Sequence, residues 1–178
     1  VQDGNNRDIW IASADGDSAP RLFVNGPASE SNPTFSPDGK WLAYVSDKSG
    51  RNEVYVRGYP AGEETPVSAS GGEGPVWRPD GKEIFYDVRN GLEGGALGLM
   101  AVSITVEGRG LRLGNPVKMF DMRVPGMEGA MQYAGSNDAY NQFDIFPDGR
   151  RFVMLRAPDA PAREIIIVQN WFRELAGR

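Results

Sequence analysis

The sequence predicts an all-β chain built from four-stranded antiparallel sheets repeated in series, and three observations carry that prediction. One tight-turn motif occurs three times, each copy flanked by strand-like apolar segments. A second apolar strand follows each copy at similar spacing, so the unit is longer than a hairpin. Gly (23) and Pro (13) make up about a fifth of the 178 residues, a turn-rich composition suited to many short strands.

The first copy reads Pro33-Thr34-Phe35-Ser36-Pro37-Asp38-Gly39-Lys40-Trp41-Leu42-Ala43-Tyr44. The second is Pro75-Val76-Trp77-Arg78-Pro79-Asp80-Gly81-Lys82-Glu83-Ile84-Phe85-Tyr86, and the third is Phe143-Asp144-Ile145-Phe146-Pro147-Asp148-Gly149-Arg150-Arg151-Phe152-Val153. Proline presets φ at the first corner, Asp accepts backbone hydrogen bonds in the bend, and Gly supplies positive φ. Asp38, Gly39, Asp80, Gly81, Asp148 and Gly149 therefore read as structural turn residues. The alternation of Trp41, Ala43 and Val45 is that of a half-buried strand, so each copy is a β-hairpin.

Further strands are predicted at Glu53-Val54-Tyr55-Val56-Arg57, Leu99-Met100-Ala101-Val102-Ser103 and Glu164-Ile165-Ile166-Ile167-Val168, with a matching Asp8-Ile9-Trp10-Ile11 near the start. Weaker outer strands follow around Arg21 to Val24, Thr65 to Ser68 and Pro116 to Phe120. Asp38 to Asp80 spans 42 residues and Tyr55 to Met100 spans 45, within the roughly 40–50-residue period of four-stranded propeller blades. Asp80 to Asp148 spans 68, and the surplus is expected in connecting loops at Asn90 to Gly98 and Asp121 to Tyr140. The chain thus reads as a single partial β-propeller over residues 1–178: a half blade at 1–28, a blade at 29–70, a blade with long insertions at 71–140, and a final blade at 141–178. That is about three and a half blades, against at least about four in a closed propeller, so the chain is expected to belong to a larger protein or to be completed by identical chains.

The Phe-Ser-Pro-Asp-Gly-Lys-Trp-Leu-Ala-Tyr hairpin at 35–44, with the following Glu-Val-Tyr-Val strand, resembles the TolB-like propeller repeat, which also stands beside the hydrolase domain of prolyl-oligopeptidase relatives. The ending Ile165-Ile166-Ile167-Val168-Gln169-Asn170-Trp171-Phe172 is similar to the ends of propellers attached to bacterial serine/threonine kinases and winged-helix regulators. The departure is at the residue before the turn proline, Ser36 in the first copy but Arg78 and Phe146 in the others, which weakens side-chain capping of the turn. The resemblance implies a periplasmic or otherwise extracytoplasmic setting.

Composition narrows the function classes. Nineteen Lys plus Arg against 24 Asp plus Glu give a net charge of −5, so there is no basic field for nucleic acid. No apolar run approaches the roughly 18 residues of a membrane span, and the opening residues, Val1 to Asp8, do not read as a signal peptide. Cys is absent, which leaves the redox compartment open. His is absent too, so neither a Ser-His-Asp nor a Cys-His site can form within the chain. No Gly-x-Ser-x-Gly elbow occurs.

The recurring aspartates are better explained by turn geometry than by metal or acid/base chemistry. Asp15-Gly16-Asp17 lacks the later ligands of a calcium loop and reads as a hairpin turn. Gly108-Arg109-Gly110 and the residues to Gly114 have the wrong spacing for a phosphate cradle and join two strands. No cofactor or metal is predicted. The segment from Met122 to Tyr140 lacks strand periodicity and carries Met122, Met127, Met131, Tyr133 and Tyr140, side chains suited to an adaptable recognition loop. Trp10, Trp41, Trp77 and Trp171 are expected to pack between neighbouring blades. The functional expectation is a non-enzymatic interaction or scaffolding module, with a protein partner or the missing propeller half as its ligand and a homodimer or larger assembly in solution. The alternative is the propeller portion of a serine hydrolase, gating access to a triad outside this chain.

Overall fold

The structure, a computed structural model, describes residues 6–88, 98–108, 110–121 and 143–155, together with the backbone of the strand Ile165–Val168. Every regular element among them is a β-strand, and every pairing is antiparallel. Strands β1 (Ile9–Ile11) and β2 (Arg21–Val24) form a two-stranded sheet. Then β3 (Glu30–Phe35), β4 (Trp41–Ser46), β5 (Glu53–Gly58) and β6 (Glu64–Pro66) lie side by side in chain order. The next sheet holds β7 (Glu73–Trp77), β8 (Glu83–Val88) and β9 (Gly98–Glu107), with β10 (Gly110–Leu113) and β11 (Val117–Asp121) both paired to β9. The last is three-stranded: β12 (Phe143–Ile145), β13 (Phe152–Leu155) and β14 (Ile165–Val168).

The sheets stack in sequence as blades of an arc. Ile9, Phe23 and Val24 of the first pack on Leu42, Tyr44 and Tyr55 of the second. The opposite face of that second sheet, Ala43, Val45, Val54 and Val56, meets Ile84, Tyr86 and Val88 of the third. Phe85, Leu99 and Ala101 then meet Phe143, Ile145, Phe152 and Met154. This corrects the expectation of half-buried strands. Leu42 through Val45 are all buried, because a blade between two others presents apolar side chains on both faces of the pleat.

The same bulge shapes the first strand of two blades. Register shifts between Ser31 and Thr34 and between Glu73 and Val76, where Asn32 (φ 50°) and Gly74 (φ 55°) each precede a proline. A left-handed residue inserted into an antiparallel pair bends the strand and increases its twist.

Two expectations need correction. Part of the surplus length after Asp80 is regular structure, because β9 runs on for ten residues and folds back through Gly108 (φ 62°) as β10. Trp10 does not pack between blades; it is 58% exposed, on the face of the β1–β2 sheet opposite Ile9. Trp77 is buried and Trp41 packs partly buried against the second core cluster, while Trp171 lies outside the described residues.

Candidate functional site

The sheet stack has two ends with different chemistry. At one end sit the three Pro-Asp-Gly turns. In each, the Gly amide donates to the carbonyl three residues back: Gly39 to Ser36 at 2.9 Å, Gly81 to Arg78 at 2.8 Å and Gly149 to Phe146 at 2.8 Å. The glycines have φ of 70°, 71° and 66°. Each Asp Oδ1 accepts from the amide two residues on, at 3.2 Å from Lys40, 3.0 Å from Lys82 and 2.9 Å from Arg150. Neighbouring turns touch: an added β-carbon on Gly81 would lie 3.8 Å from Pro37, and one on Gly149 only 3.1 Å from Arg78 Nε.

The residue ahead of the proline clamps each turn differently. Ser36 Oγ donates to Asp38 at 2.7 Å and accepts from the Trp41 amide at 3.0 Å. That hydroxyl chiefly, with the Lys40 amide, holds the Asp38 carboxyl below its usual range. Arg78 instead pairs with Glu83 at 2.9 Å, and the Arg151 guanidinium lies 4.3 Å from the Phe146 ring centroid while bonding Asp148. The loss of Ser36 in the later copies therefore does not leave the turns unclamped. The aspartates are one per turn, and among the described residues no group of three or more His, Cys, Asp or Glu is placed to hold a metal.

The other end carries the connections at 25–29, 47–52 and 67–72, and polar side chains are buried there. Glu53, which opens β5, accepts from Arg51 Nε at 2.8 Å, from the Gly71 amide at 2.9 Å and from the Ser68 hydroxyl. Ser68 Oγ in turn accepts from the Val54 amide at 2.8 Å. One buried carboxylate thus fixes the whole connection between the second and third sheets. Glu30 Oε1 accepts from Ser46 Oγ at 3.0 Å, while its buried Oε2 has no hydrogen-bond partner. Burial pushes the Glu30 carboxyl up against the lowering effect of Ser46, and the carboxylates of Asp8 and Asp47 add to the rise. Lys48 stands 3.7 Å over the Tyr55 ring and pairs with Glu64, whose other oxygen accepts from the Tyr44 hydroxyl. Burial raises both Tyr44 and Tyr86, the latter to about 12.

The sequence does not announce these groups, because a Glu at a strand's first residue reads as a solvated end. The signal available was an acid directly beside a run of apolar residues, as in Glu53-Val54-Tyr55-Val56. Met122, Met127, Met131, Tyr133 and Tyr140 lie outside the described residues.

A family model described as the TolB beta propeller domain matches residues 1–109, more than half of the chain. The chain belongs to the TolB beta-propeller family. Among curated relatives, an uncharacterized peptidase, YuxL of Bacillus subtilis, is 32% identical over 94 residues, covering 51% of this chain and 14% of that protein. The Tol-Pal system protein TolB of Bordetella avium is 37% identical over 68 residues, covering 38% of this chain and 15% of its own length. The crystal structure of TolB from Acinetobacter baumannii superposes with a TM-score of 0.52 at 16% identity, over 90% of this chain and 45% of that one, a likeness of fold. The match thus spans under a fifth of those two curated relatives. No helix among the described residues of this TolB-type propeller is long and apolar enough to cross a membrane.

Proposed function

We propose that this chain is a non-enzymatic interaction and scaffolding segment of a longer TolB-type propeller protein, with residues 1–178 forming one partial propeller in an extracytoplasmic setting. The observation that carries the reading is the use made of buried polar groups. Glu53 and Ser68 spend their hydrogen bonds on loop geometry, and Ser46 Oγ accepts from the Lys48 amide, so the 47–52 and 67–72 connections are tied down at one end of the arc. Preorganised loops on a stable scaffold favour recognition, because little ordering entropy is lost on binding.

A photo-crosslinking residue at exposed Ser49, compared with one at exposed Lys82, tests this in the full-length protein. The reading expects one discrete protein adduct from position 49 and none from position 82. Steady ester or peptide hydrolysis by the isolated chain, with stoichiometric labelling by a fluorophosphonate, would overturn it. The likeness to the YuxL peptidase favours a second reading, in which these blades shape access to a hydrolase domain elsewhere in the polypeptide. Fluorophosphonate labelling of the full-length protein outside this segment would select that reading.

A further inference from the structure

At the loop end, the seam between the first and second sheets carries an acid that the next seam does not. The Glu30 amide donates to the Arg7 carbonyl at 2.7 Å, and the Gly72 amide donates to the Asn52 carbonyl at 3.0 Å. Each acceptor stands just before the acid that leads into the neighbouring strand, Asp8 in one case and Glu53 in the other. Glu30 and Gly72 thus hold the same place in successive seams. A β-carbon on Gly72 would lie 2.7 Å from Ser68 Oγ, so the second seam has no room for a side chain where the first holds a carboxyl. The stacking of sheets therefore does not require an acid at position 30.

Glu30 is 5% exposed, with Oε1 accepting from the Ser46 hydroxyl at 3.0 Å and the buried Oε2 accepting from nothing. Glu53, the buried acid of the next seam, has by contrast a guanidinium, a hydroxyl and a backbone amide. The charged groups facing Glu30 are Asp8 ahead of β1 and Asp47 and Lys48 beyond β4, and the Tyr44 phenol on β4 is the other titratable neighbour. The single ammonium among them is engaged by Glu64. Asp47 also ties the connection down: its Oδ1 accepts from the Ser29 amide at 2.8 Å, while Asn6 Nδ2 donates to the Pro27 carbonyl at 2.6 Å, so residues 25–29 are pinned to both sheets. A buried carboxylate with one hydroxyl for a partner and two carboxylates for neighbours is disfavoured, whereas the neutral acid is not. Burial first, then Asp8 and Asp47, raise the Glu30 carboxyl above the ordinary 4.5, against Ser46 and Lys48.

We propose that Glu30 is a proton-operated latch: with its carboxyl neutral the first and second sheets stay pinned at the loop end, and when it ionises the seam takes up a further negative charge and the 25–29 connection loosens. The step moves one proton from the Glu30 carboxyl to solvent and breaks no covalent bond. A glutamate that holds its proton more tightly when folded contributes stability in full below about pH 4.5, and that contribution falls as pH rises from there through the folded value. The loosening is local, because the next seam has glycine at the equivalent place and its acid is fully partnered. It reaches the 47–52 connection through Ser46, whose Oγ also accepts from the Lys48 amide at 3.4 Å. The latch goes beyond the recognition role proposed for that connection and does not depend on it.

Amide hydrogen exchange of the purified chain, corrected for the intrinsic pH dependence of exchange, tests this without a ligand. Between about pH 4.5 and pH 8 the opening equilibrium at the Ser29 and Glu30 amides should rise about ten-fold, while the Gly72 amide of the next seam shows no such rise. Glu30→Gln, neutral at every pH, should give a flat profile. Asp8→Asn removes a neighbouring negative charge and should move the midpoint to lower pH, a shift that a merely structural Glu30 would not produce. A flat wild-type profile, a rise retained in Glu30→Gln, or a midpoint unmoved by Asp8→Asn overturns the latch. Should Glu30→Gln fail to fold, a carbon-13 titration of the Glu30 carboxyl decides in its place: a midpoint above the ordinary value that tracks amide opening is expected, and one at or below it overturns the proposal. Cross-linking from position 49 needs a partner and the full-length protein, whereas the latch is read without either, so the two proposals fail separately.

Discussion

Replacing Gly39 with Ala isolates the conformational demand of the turn. A β-carbon at Gly39 meets nothing within 4 Å, so no packing term enters, and what remains is φ of +70°. Holding an L-residue in the left-handed region costs roughly 1–2 kcal/mol, and Asn, which visits that region readily, should recover much of it. For a chain of this size each kcal/mol lowers Tm by roughly 2–4 °C. Gly149→Ala should cost more than Gly39→Ala at similar φ, because its β-carbon would lie 3.1 Å from Arg78 Nε, and Arg78 is already paired with Glu83. Lys40→Ala is the control: its pair with Asp38 is exposed at 3.6 Å and should change stability by less than about 0.5 kcal/mol. Urea unfolding read through the midpoint, with the slope checked for constancy, measures all four. Equal midpoints for Gly39→Ala and Lys40→Ala, or no recovery with Asn, would refute the turn argument.

Three further outcomes are expected. Phe85 is fully buried and meets Phe152 edge-on at 5.0 Å between the third and fourth sheets, so Phe85→Ala should cost about 3–5 kcal/mol in urea unfolding; a loss below about 1 kcal/mol would mean that these sheets do not share a core. Glu53→Ala strands the Gly71 amide and the Ser68 hydroxyl, at about 1–3 kcal/mol for each group left unpaired, and should accelerate amide exchange across 67–72; unchanged exchange there would remove the linchpin role. Tyr44 and Tyr86 ionise above the ordinary value of 10.0 when folded, so their contribution to stability should be constant below about pH 9 and fall as pH rises through 10 toward 12, because the unfolded chain releases those protons first. Tyr44→Phe with Tyr86→Phe should flatten that slope, and an unaltered slope would show that other groups carry it.

The blade pattern was legible because it rests on local rules. Pro-Asp-Gly with flanking apolar residues specifies a hairpin without help from elsewhere in the chain, and three copies at blade spacing specify a stack. Burial was less legible, since it depends on what lies across each face. Leu42 and Tyr44 are as buried as Ala43 and Val45 because another sheet covers each side, whereas Trp10 and Phe35, apolar by any scale, stay partly exposed on a face that no other sheet among the described residues covers. The bulges were also missed, although Asn32-Pro33 and Gly74-Pro75 stand at the same repeat position and pair a φ-tolerant residue with a proline. The network at the loop end could not be read at all. Glu53, Ser68 and Gly71 are spread over eighteen residues and meet only once β5 and β6 are paired.

The two ends of the arc obey different rules, and the difference bears on where function resides. At the turn end one backbone geometry is kept by three unrelated clamps: a hydroxyl at Ser36, an ion pair at Arg78 and an aromatic–guanidinium contact at Phe146. These clamps differ in chemistry and in burial, Ser36 being buried and the Arg78–Glu83 pair only partly exposed, and what the copies share is Pro, Asp and a positive-φ Gly. At the loop end the clamps are buried and single. Glu53 organises one connection between sheets and Glu30 sits at the entrance to another, with no shared motif. Stranding a buried partner costs about 1–3 kcal/mol, so the backbone around Glu53 is held firmly beneath the exposed tip at Ser49. A firm base beneath an exposed tip is the arrangement that the proposed recognition role of this end requires.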